Sequence, residues 1–240
     1  MTRHRFRLRV HAALPSTSDL VAQLAAAGEP EGLAVLAHRQ TAGRGTQGRA
    51  WESRAGNLHL SILLRPTDPL RHAPQWGLLA AVALADAVAT TIPDPRAIAL
   101  KWPNDLLLNG AKSAGILAEA SADDHGGIAW LCLGIGVNLA HAPQVEGRST
   151  ACLADTGITP PTPEAFAETL LTALDARRTQ RLTEGFAAIR AAWLERGPAL
   201  DTHIALTSGI AGRFAGLAED GSLLLSTGGR IHALASGEVA

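Results

Sequence analysis

Apolar residues recur along this chain at two spacings, every second residue and every third to fourth, with Gly, Pro and Asx clusters between the runs. Near the start, Arg alternates with Phe6, Leu8 and Val10 within RHRFRLRV, the pattern of an edge strand with one solvated face. PSTSD at 15–19 reads as a turn and helix N-cap, and Leu20, Val21 and Leu24 supply the apolar face that follows. LAVLA at 33–37 predicts a short buried strand. The stretch from His38 to Gly56 is too polar and Gly-rich for regular structure. Leu58, Leu60, Ile62 and Leu64 alternate as a strand, and Gln75 to about Thr91 carries helix spacing. Three short strands follow, IALKW, DLLLN and SAGILAE, with Asn109-Gly110 between the last two as the hairpin signal. IAWLCLGIGVNL is a further strand after a turn at 123–127, and 140–161 reads as loop. Two helices are expected over about 162–180 and 182–196, ended by Gly197-Pro198.

Beyond that point the character changes. Brief strands near 203–207, 211–217, 222–226 and 230–234, punctuated by glycine, are the pattern of a small β-barrel. The expected organisation is α+β: a mixed sheet flanked by helices over 1–198, then a small barrel over 199–240.

Composition narrows the function classes. Apolar content of 47% and charged content of 18% are ordinary for a soluble globular protein. A net charge of −1 disfavours a duplex-binding protein, and no apolar run reaches a membrane span or a secretory leader. Two unpatterned cysteines, Cys132 and Cys152, suggest reduced thiols and a cytoplasmic setting. The scattered histidines show no metal-ligand spacing, so no metal site built from dedicated protein ligands is expected.

Against that background the lysines stand out. Lys101 and Lys112 are the only lysines among 21 basic residues, and both lie in KWPNDLLLNGAKSAGILAE. Either this is a bias toward Arg, or the positions need a compact three-donor ammonium facing an oxygen-rich ligand. Counting back from the Asn109-Gly110 turn puts Asp105 and Lys112 on adjacent strands, where the carboxylate can aim the ammonium. In GRGTQGR at 43–49, spaced glycines expose backbone N–H groups and two arginines add charge. That loop is either a solvated surface loop or a ligand cradle. It is neither a Walker loop nor a dinucleotide fingerprint. Asn138 ends an apolar strand, as a structural residue or as a ligand for ribose or phosphate. Ser16-Thr17-Ser18 taken alone is a helix cap.

In this order and spacing, GRG..GR, KWPND and K..GIL.E resemble the biotin protein ligases, from Ser16 to about Glu238. The resemblance implies a catalytic sheet-and-helix domain related to class II aminoacyl-tRNA synthetases and lipoate ligases, with an SH3-like barrel after it. It implies that biotin and ATP form biotinyl-5′-AMP, and that biotin then passes to a lysine of a biotin carboxyl carrier domain of a carboxylase. Lys112, Arg44 and Asp105 would carry the catalysis. Ser16, Thr17, Ser18 and Gln40 would bind the ureido end of biotin. Gly43, Arg44, Gly45 and Thr46 would close over it, with Lys112, Gly115 and Leu117 completing the pocket. Arg49, Trp51, Lys101 and Asn104 would face ATP, together with Asp105, Lys112 and Asn138, and Mg²⁺ would be held mainly by ATP. Two positions depart from the family pattern: Ser18 stands where Asn is common, and Thr46 where Arg is common. No helix-turn-helix domain fits ahead of Ser16, so the implied protein is a ligase without a DNA partner, as a monomer or homodimer. A lipoate or octanoate ligase, a non-catalytic sensor and a nucleic-acid binder are the rival readings.

Overall fold

The structure is a computed structural model that describes residues 5–240. Its elements run β1 (Arg7–His11), α1 (Thr17–Ala26), β2 (Leu33–Ala37), β3 (Leu58–Leu64), α2 (Ala73–Ala89), β4 (Ile98–Lys101), β5 (Asp105–Leu108), β6 (Ala111–Ala122), β7 (Ile128–Val137), α3 (Pro163–Glu184), α4 (Phe186–Leu194), β8 (His203–Ala205), β9 (Ala211–Leu217), β10 (Leu223–Thr227) and β11 (Arg230–Leu234). Strands β1–β7 make one sheet in the order β1-β2-β3-β7-β6-β5-β4, and β8–β11 make a four-stranded antiparallel sheet. Of these strands in the described residues, β1 and β2 pair in parallel and the other pairs are antiparallel. The cationic N-terminal run forms the sheet edge as its alternation implies, and Arg7 and Arg9 both pair with Glu29. Arg3 and His4 of that run lie outside the described residues.

Strand alternation sorts the large sheet into two faces. Ala34 and Leu36 of β2, Leu58, Leu60, Ile62 and Leu64 of β3, and Leu131, Leu133, Ile135 and Val137 of β7 pack in one cluster with α2, α3 and α4. Helix α2 is Ala-rich and buried almost all round, so it sits close against the strands. Each buried Leu of this layer contributes about 1.5–3 kcal/mol. The opposite face is covered by α1 only in part, where Val21 and Ala25 meet Leu33, Val35, Leu63 and Cys132. The rest of that face is open to the cavity described below. β3 is therefore buried on both faces, not half-solvated, and His59 and Ser61 lie on its cavity side.

The turn between β5 and β6 has φ of 48° at Asn109 and 81° at Gly110, the left-handed pair that a two-residue hairpin requires. One boundary differs from the sequence pattern. α3 continues past residue 180 to Glu184, because the residue that breaks it is Gly185, at φ 76° and ψ 179°. The C-terminal sheet joins the main core through Phe214, Leu223 and Leu225. Trp102 Nε1 donates to the Gly221 carbonyl at 3.2 Å and Gln75 to that of Glu219 at 2.8 Å. Both cysteines are free and buried, and burial pushes the Cys132 thiol up to about 12.

Asn57 fixes the exit of β7. Its side-chain oxygen accepts from the backbone N–H groups of Leu139, Ala140 and His141, and its amide donates to the His141 carbonyl. This bracket directs the chain into the 143–150 segment beside the cavity. Asn57→Ala leaves those groups without a buried partner and is expected to lose about 2–3 kcal/mol in urea unfolding. A loss under about 0.5 kcal/mol, the level of an ordinary surface change, would show that the bracket is dispensable.

Candidate active site

Four segments converge on a cavity of about 580 Å³ over the open half of the sheet: the start of α1, the 40–52 loop, the β5–β6 hairpin and the 143–150 segment. Glycines on the strands let them come close. A Cβ at Gly134 would lie 2.5 Å from Ser18 Oγ, and one at Gly136 would lie 2.5 Å from the Trp51 ring. At Gly115 it would lie 3.2 Å from Trp51 and 3.5 Å from Lys112 Nζ. A larger residue at Gly134 or Gly136 would push the Ser18 hydroxyl or the indole off the sheet, and one at Gly115 would crowd the indole while just touching the ammonium.

One end of the cavity is lined by hydroxyls. Ser16 caps α1, its Oγ accepting from the Asp19 N–H. Thr17 Oγ1 lies 2.7 Å and Ser18 Oγ 3.0 Å from Ser61 Oγ. The Thr17 N–H and hydroxyl both donate to Gln40 Oε1, at 2.8 and 3.0 Å. Leu117 and Gly45 complete this part of the lining. Gly43 stands just outside it: a Cβ there would meet Gln40 Nε2 at 2.8 Å and the Trp51 carbonyl at 3.0 Å, so the turn closes only on glycine.

The middle holds the ammonium. Lys112 Nζ donates to Asp105 Oδ1 at 2.5 Å and lies 6.0 Å from the Trp51 ring centroid. The two residues are not directly opposed. A register shift between Leu106 and Leu107 puts Lys112 across from Leu107 and Asp105 across from Gly115. The backbone of Lys112 is pinned from the other side, donating to the Ser149 carbonyl and accepting from the Ala151 N–H. Asn104 ties the cavity edge to β6, its amide donating to the Ile116 carbonyl at 2.9 Å. Asn138 also lines the cavity, with its amide donating to the Ala151 carbonyl at 3.1 Å.

The guanidinium groups are balanced by carboxylates. Arg44 pairs with Asp19 at 2.5 Å and with Glu119 at 3.2 Å, and its bond to Asp19 holds its proton more firmly than usual. It thereby clasps the 40–52 loop to α1 and β6. Arg49 and Arg148 share Glu238, at 2.8 and 2.9 Å. Burial opposes ionisation of Glu238, yet the two arginines hold its carboxyl below the usual range. Thr46 supports Arg49 by accepting from its Nη2 at 3.0 Å.

Lys101 is not brought to this cavity. It lines a second one, of about 520 Å³, where its ammonium donates to the Ala240 carbonyl at 3.2 Å. Several residues at the main site were absent from the sequence reading: His59, Ser61, Asp19, Glu119, Arg148 and Glu238. His59 and Ser61 left a legible signal, as polar residues at every second place in an apolar strand.

Comparison with known proteins agrees with this geometry. Residues 10–138 match the Biotin/lipoate A/B protein ligase family. The chain belongs to that family. Among its curated relatives, the biotin--[acetyl-CoA-carboxylase] ligase of Paracoccus denitrificans is 40% identical, over 80% of this chain and 82% of the relative. The protein of the same name from Mycobacterium tuberculosis is 34% identical, over 93% and 84%. Among solved structures, the Aquifex aeolicus biotin protein ligase in complex with biotin and ATP matches with a TM-score of 0.81 and 27% identity, over 98% of this chain and 97% of that one. The Leishmania major biotin protein ligase in complex with biotinyl-5-AMP matches with a TM-score of 0.68 and 26% identity, over 95% and 98%. The expected mixed sheet with flanking helices and a small C-terminal β unit is thus the family fold.

Burial lowers the His59 imidazole from an ordinary 6.5 to about 4, with a backbone group of Arg54 working against the shift. As pH falls below about 6.5 the unfolded chain protonates this ring, while the folded chain keeps it neutral until about 4. Stability from this group is therefore full above that window and falls across it, by about 3 kcal/mol. Urea unfolding at about pH 7 and about pH 4 is expected to show a larger loss for the wild type than for His59→Leu. Equal losses would mean that the ring titrates normally.

Proposed function

We propose that this protein is a biotin protein ligase. It activates biotin with ATP to biotinyl-5′-AMP, releasing pyrophosphate, and transfers biotin to a lysine of a biotin carboxyl carrier domain. The observation that carries this reading is the Lys112 ammonium, aimed by Asp105 at 2.5 Å, in one cavity between a hydroxyl-lined end and an arginine-lined end. That arrangement suits a carboxylate to be joined to a phosphate.

In this reading Ser16, Thr17 and Ser18 face the ureido ring, with Gln40 and Ser61 fixing their hydroxyls. Gly115 and Leu117 line the body of biotin, and Trp51, seated on Gly115 and Gly136, stands toward the nucleotide. Asn104 and Asn138 border the nucleotide, and Arg49 faces its phosphates. Arg44 acts mainly by holding the loop, since Asp19 and Glu119 already balance its charge.

A biotin carboxylate oxygen attacks the α-phosphorus, and the bond to the bridging oxygen of pyrophosphate breaks. Two unit charges of the same sign about 4 Å apart repel by about 4 kcal/mol at a surface-like dielectric. One positioned ammonium offsets a term of that size. In the second step the carrier amine attacks the acyl carbonyl, loses a proton, and AMP leaves. Closure of the 43–49 loop keeps water from the mixed anhydride. Among the described residues no group of three or more His, Cys, Asp or Glu is placed to hold a metal, and Asp105 is engaged by Lys112. Mg²⁺ carried on ATP oxygens would supply charge neutralisation at this site. Residues 1–198 form the catalytic unit and 199–240 the barrel. The setting is cytoplasmic and the protein works as a monomer or homodimer. Among the described residues no helix is long and apolar enough to cross a membrane.

Incubation with ATP, Mg²⁺, biotin and a carrier domain is expected to raise the carrier mass by one biotinyl group. An unchanged mass, with labelled ATP shown to bind, would refute the ligase reading. Lys112→Ala is expected to lose about 3 kcal/mol or more of transition-state stabilisation. Biotin-dependent ATP–pyrophosphate exchange measures it, and a near-normal rate would remove Lys112 from the mechanism. Thr46→Arg adds a cation beside Arg49 and is expected to slow escape of biotinyl-AMP. Trapping of free adenylate checks this, and unchanged release counts against it.

A further inference from the structure

One buried polar side chain of the main cavity, His59, is not used in the protein's own architecture. His59 is 1% exposed and lines the main cavity, yet among the described residues neither Nδ1 nor Nε2 makes a well-formed hydrogen bond, a loose approach to an Arg54 backbone group apart. Ser61, two residues along the same face of β3, is fully engaged by Thr17 and Ser18. A buried polar group left unpaired carries a desolvation penalty with nothing to offset it. Leu58 and Leu60 on either side of His59 point to the opposite, helix-packed face, so the apolar core does not claim this position.

The register shows what the ring faces. His59 lies across from Gly136 on β7, and Gly136 across from Gly115 on β6. These two positions carry no side chain of their own; Trp51 seats on both, and Lys112 Nζ sits over the second. The imidazole and the ammonium thus flank the Trp51 indole, about two strand spacings or roughly 10 Å apart. The hydroxyl end lies one step along β3, at Ser61. A ligand reaching from those hydroxyls to Lys112 passes the ring of His59.

We propose that His59 is a further specificity-determining residue, whose imidazole hydrogen-bonds the bound acyl ligand inside the cavity. The proposal rests on the reading of this cavity as the biotin and ATP site. Burial keeps the ring neutral, so it offers one donor and one acceptor and no charge. It suits a carboxylic acid that carries polar atoms along its body. A plain hydrocarbon acid would leave the ring unpaired and is selected against, as buried polar groups reject analogues that cannot pair with them.

Calorimetry with biotin and with octanoate, on wild type, His59→Leu and His59→Gln, tests this. His59→Leu is expected to weaken biotin binding about tenfold with octanoate binding unchanged or tighter. His59→Gln keeps a donor and an acceptor and is expected to stay within about threefold of wild type. Ligand-free His59→Leu is expected to melt no lower than wild type, because it loses an unpaired polar group. The proposal is overturned if His59→Leu binds biotin like wild type, if both acids weaken equally, or if ligand-free melting falls and Gln recovers no binding. His59→Phe takes the place of the leucine variant should that one not fold. Wild type that binds octanoate but not biotin would defeat the ligase reading. It would overturn the His59 proposal as well, since octanoate carries nothing along its body for the imidazole to pair with, whereas biotin binding left unchanged by His59→Leu would overturn the His59 proposal alone.

Discussion

A helix, an indole and an ammonium can be pressed against a β-sheet only where no Cβ stands between. Gly134, Gly136 and Gly115 provide that strip, one strand apart or two residues apart on the cavity face. Ser18 seats on the first, Trp51 on the second, and Trp51 with Lys112 on the third. The cavity therefore has a floor that is rigid, because it is the central sheet. Its walls come close to that floor where the glycine strip carries no side chains. α2, α3 and α4 secure the sheet from behind with an apolar layer that leaves the front face free.

Charge is handled with the same economy. Asp105 faces Lys112, Asp19 and Glu119 face Arg44, and Glu238 faces Arg49 and Arg148. Part-exposed pairs of this kind contribute little to stability, with a median near 0–1 kcal/mol. Their value here is placement. Each carboxylate fixes where a cation points, and an arginine fork with five N–H donors keeps some free for a ligand after pairing. Glu238 does more than hold one residue. It reaches from the C-terminal segment to the glycine loop and to the 143–150 segment at once, so three distant parts of the chain meet at one carboxylate.

Much of this was legible from residue order, and the parts that were not share a cause. The Asn109-Gly110 turn has a local signature, and from it follow β5, β6 and the meeting of Asp105 with Lys112. The partners of Arg44 and Arg49 have no local signature, because they lie 25, 75 and 189 residues away and come together only when the sheet closes. Lys101 and Lys112 look equivalent in one short stretch. The hairpin separates them, since Lys101 sits on the outer strand β4, beside the C-terminal segment. The end of α3 went astray for a different reason. Helix spacing continues through the charged 180–184 stretch, and only the backbone of Gly185 stops it.

His59 and Ser61 illustrate what polar residues inside an apolar strand report. On a strand with one solvated face they would mark the wet side and carry no further meaning. β3 has no solvated face, because its neighbours and α1 enclose it. Each polar atom there must then be paired or be held for something that arrives later. Ser61 is paired within the protein and shapes the hydroxyl end. His59 is not paired, and the cost of burying it is set against the cavity it lines. Two residues on one face of one strand thus differ in their hydrogen bonding, one engaged within the protein and the other facing the cavity.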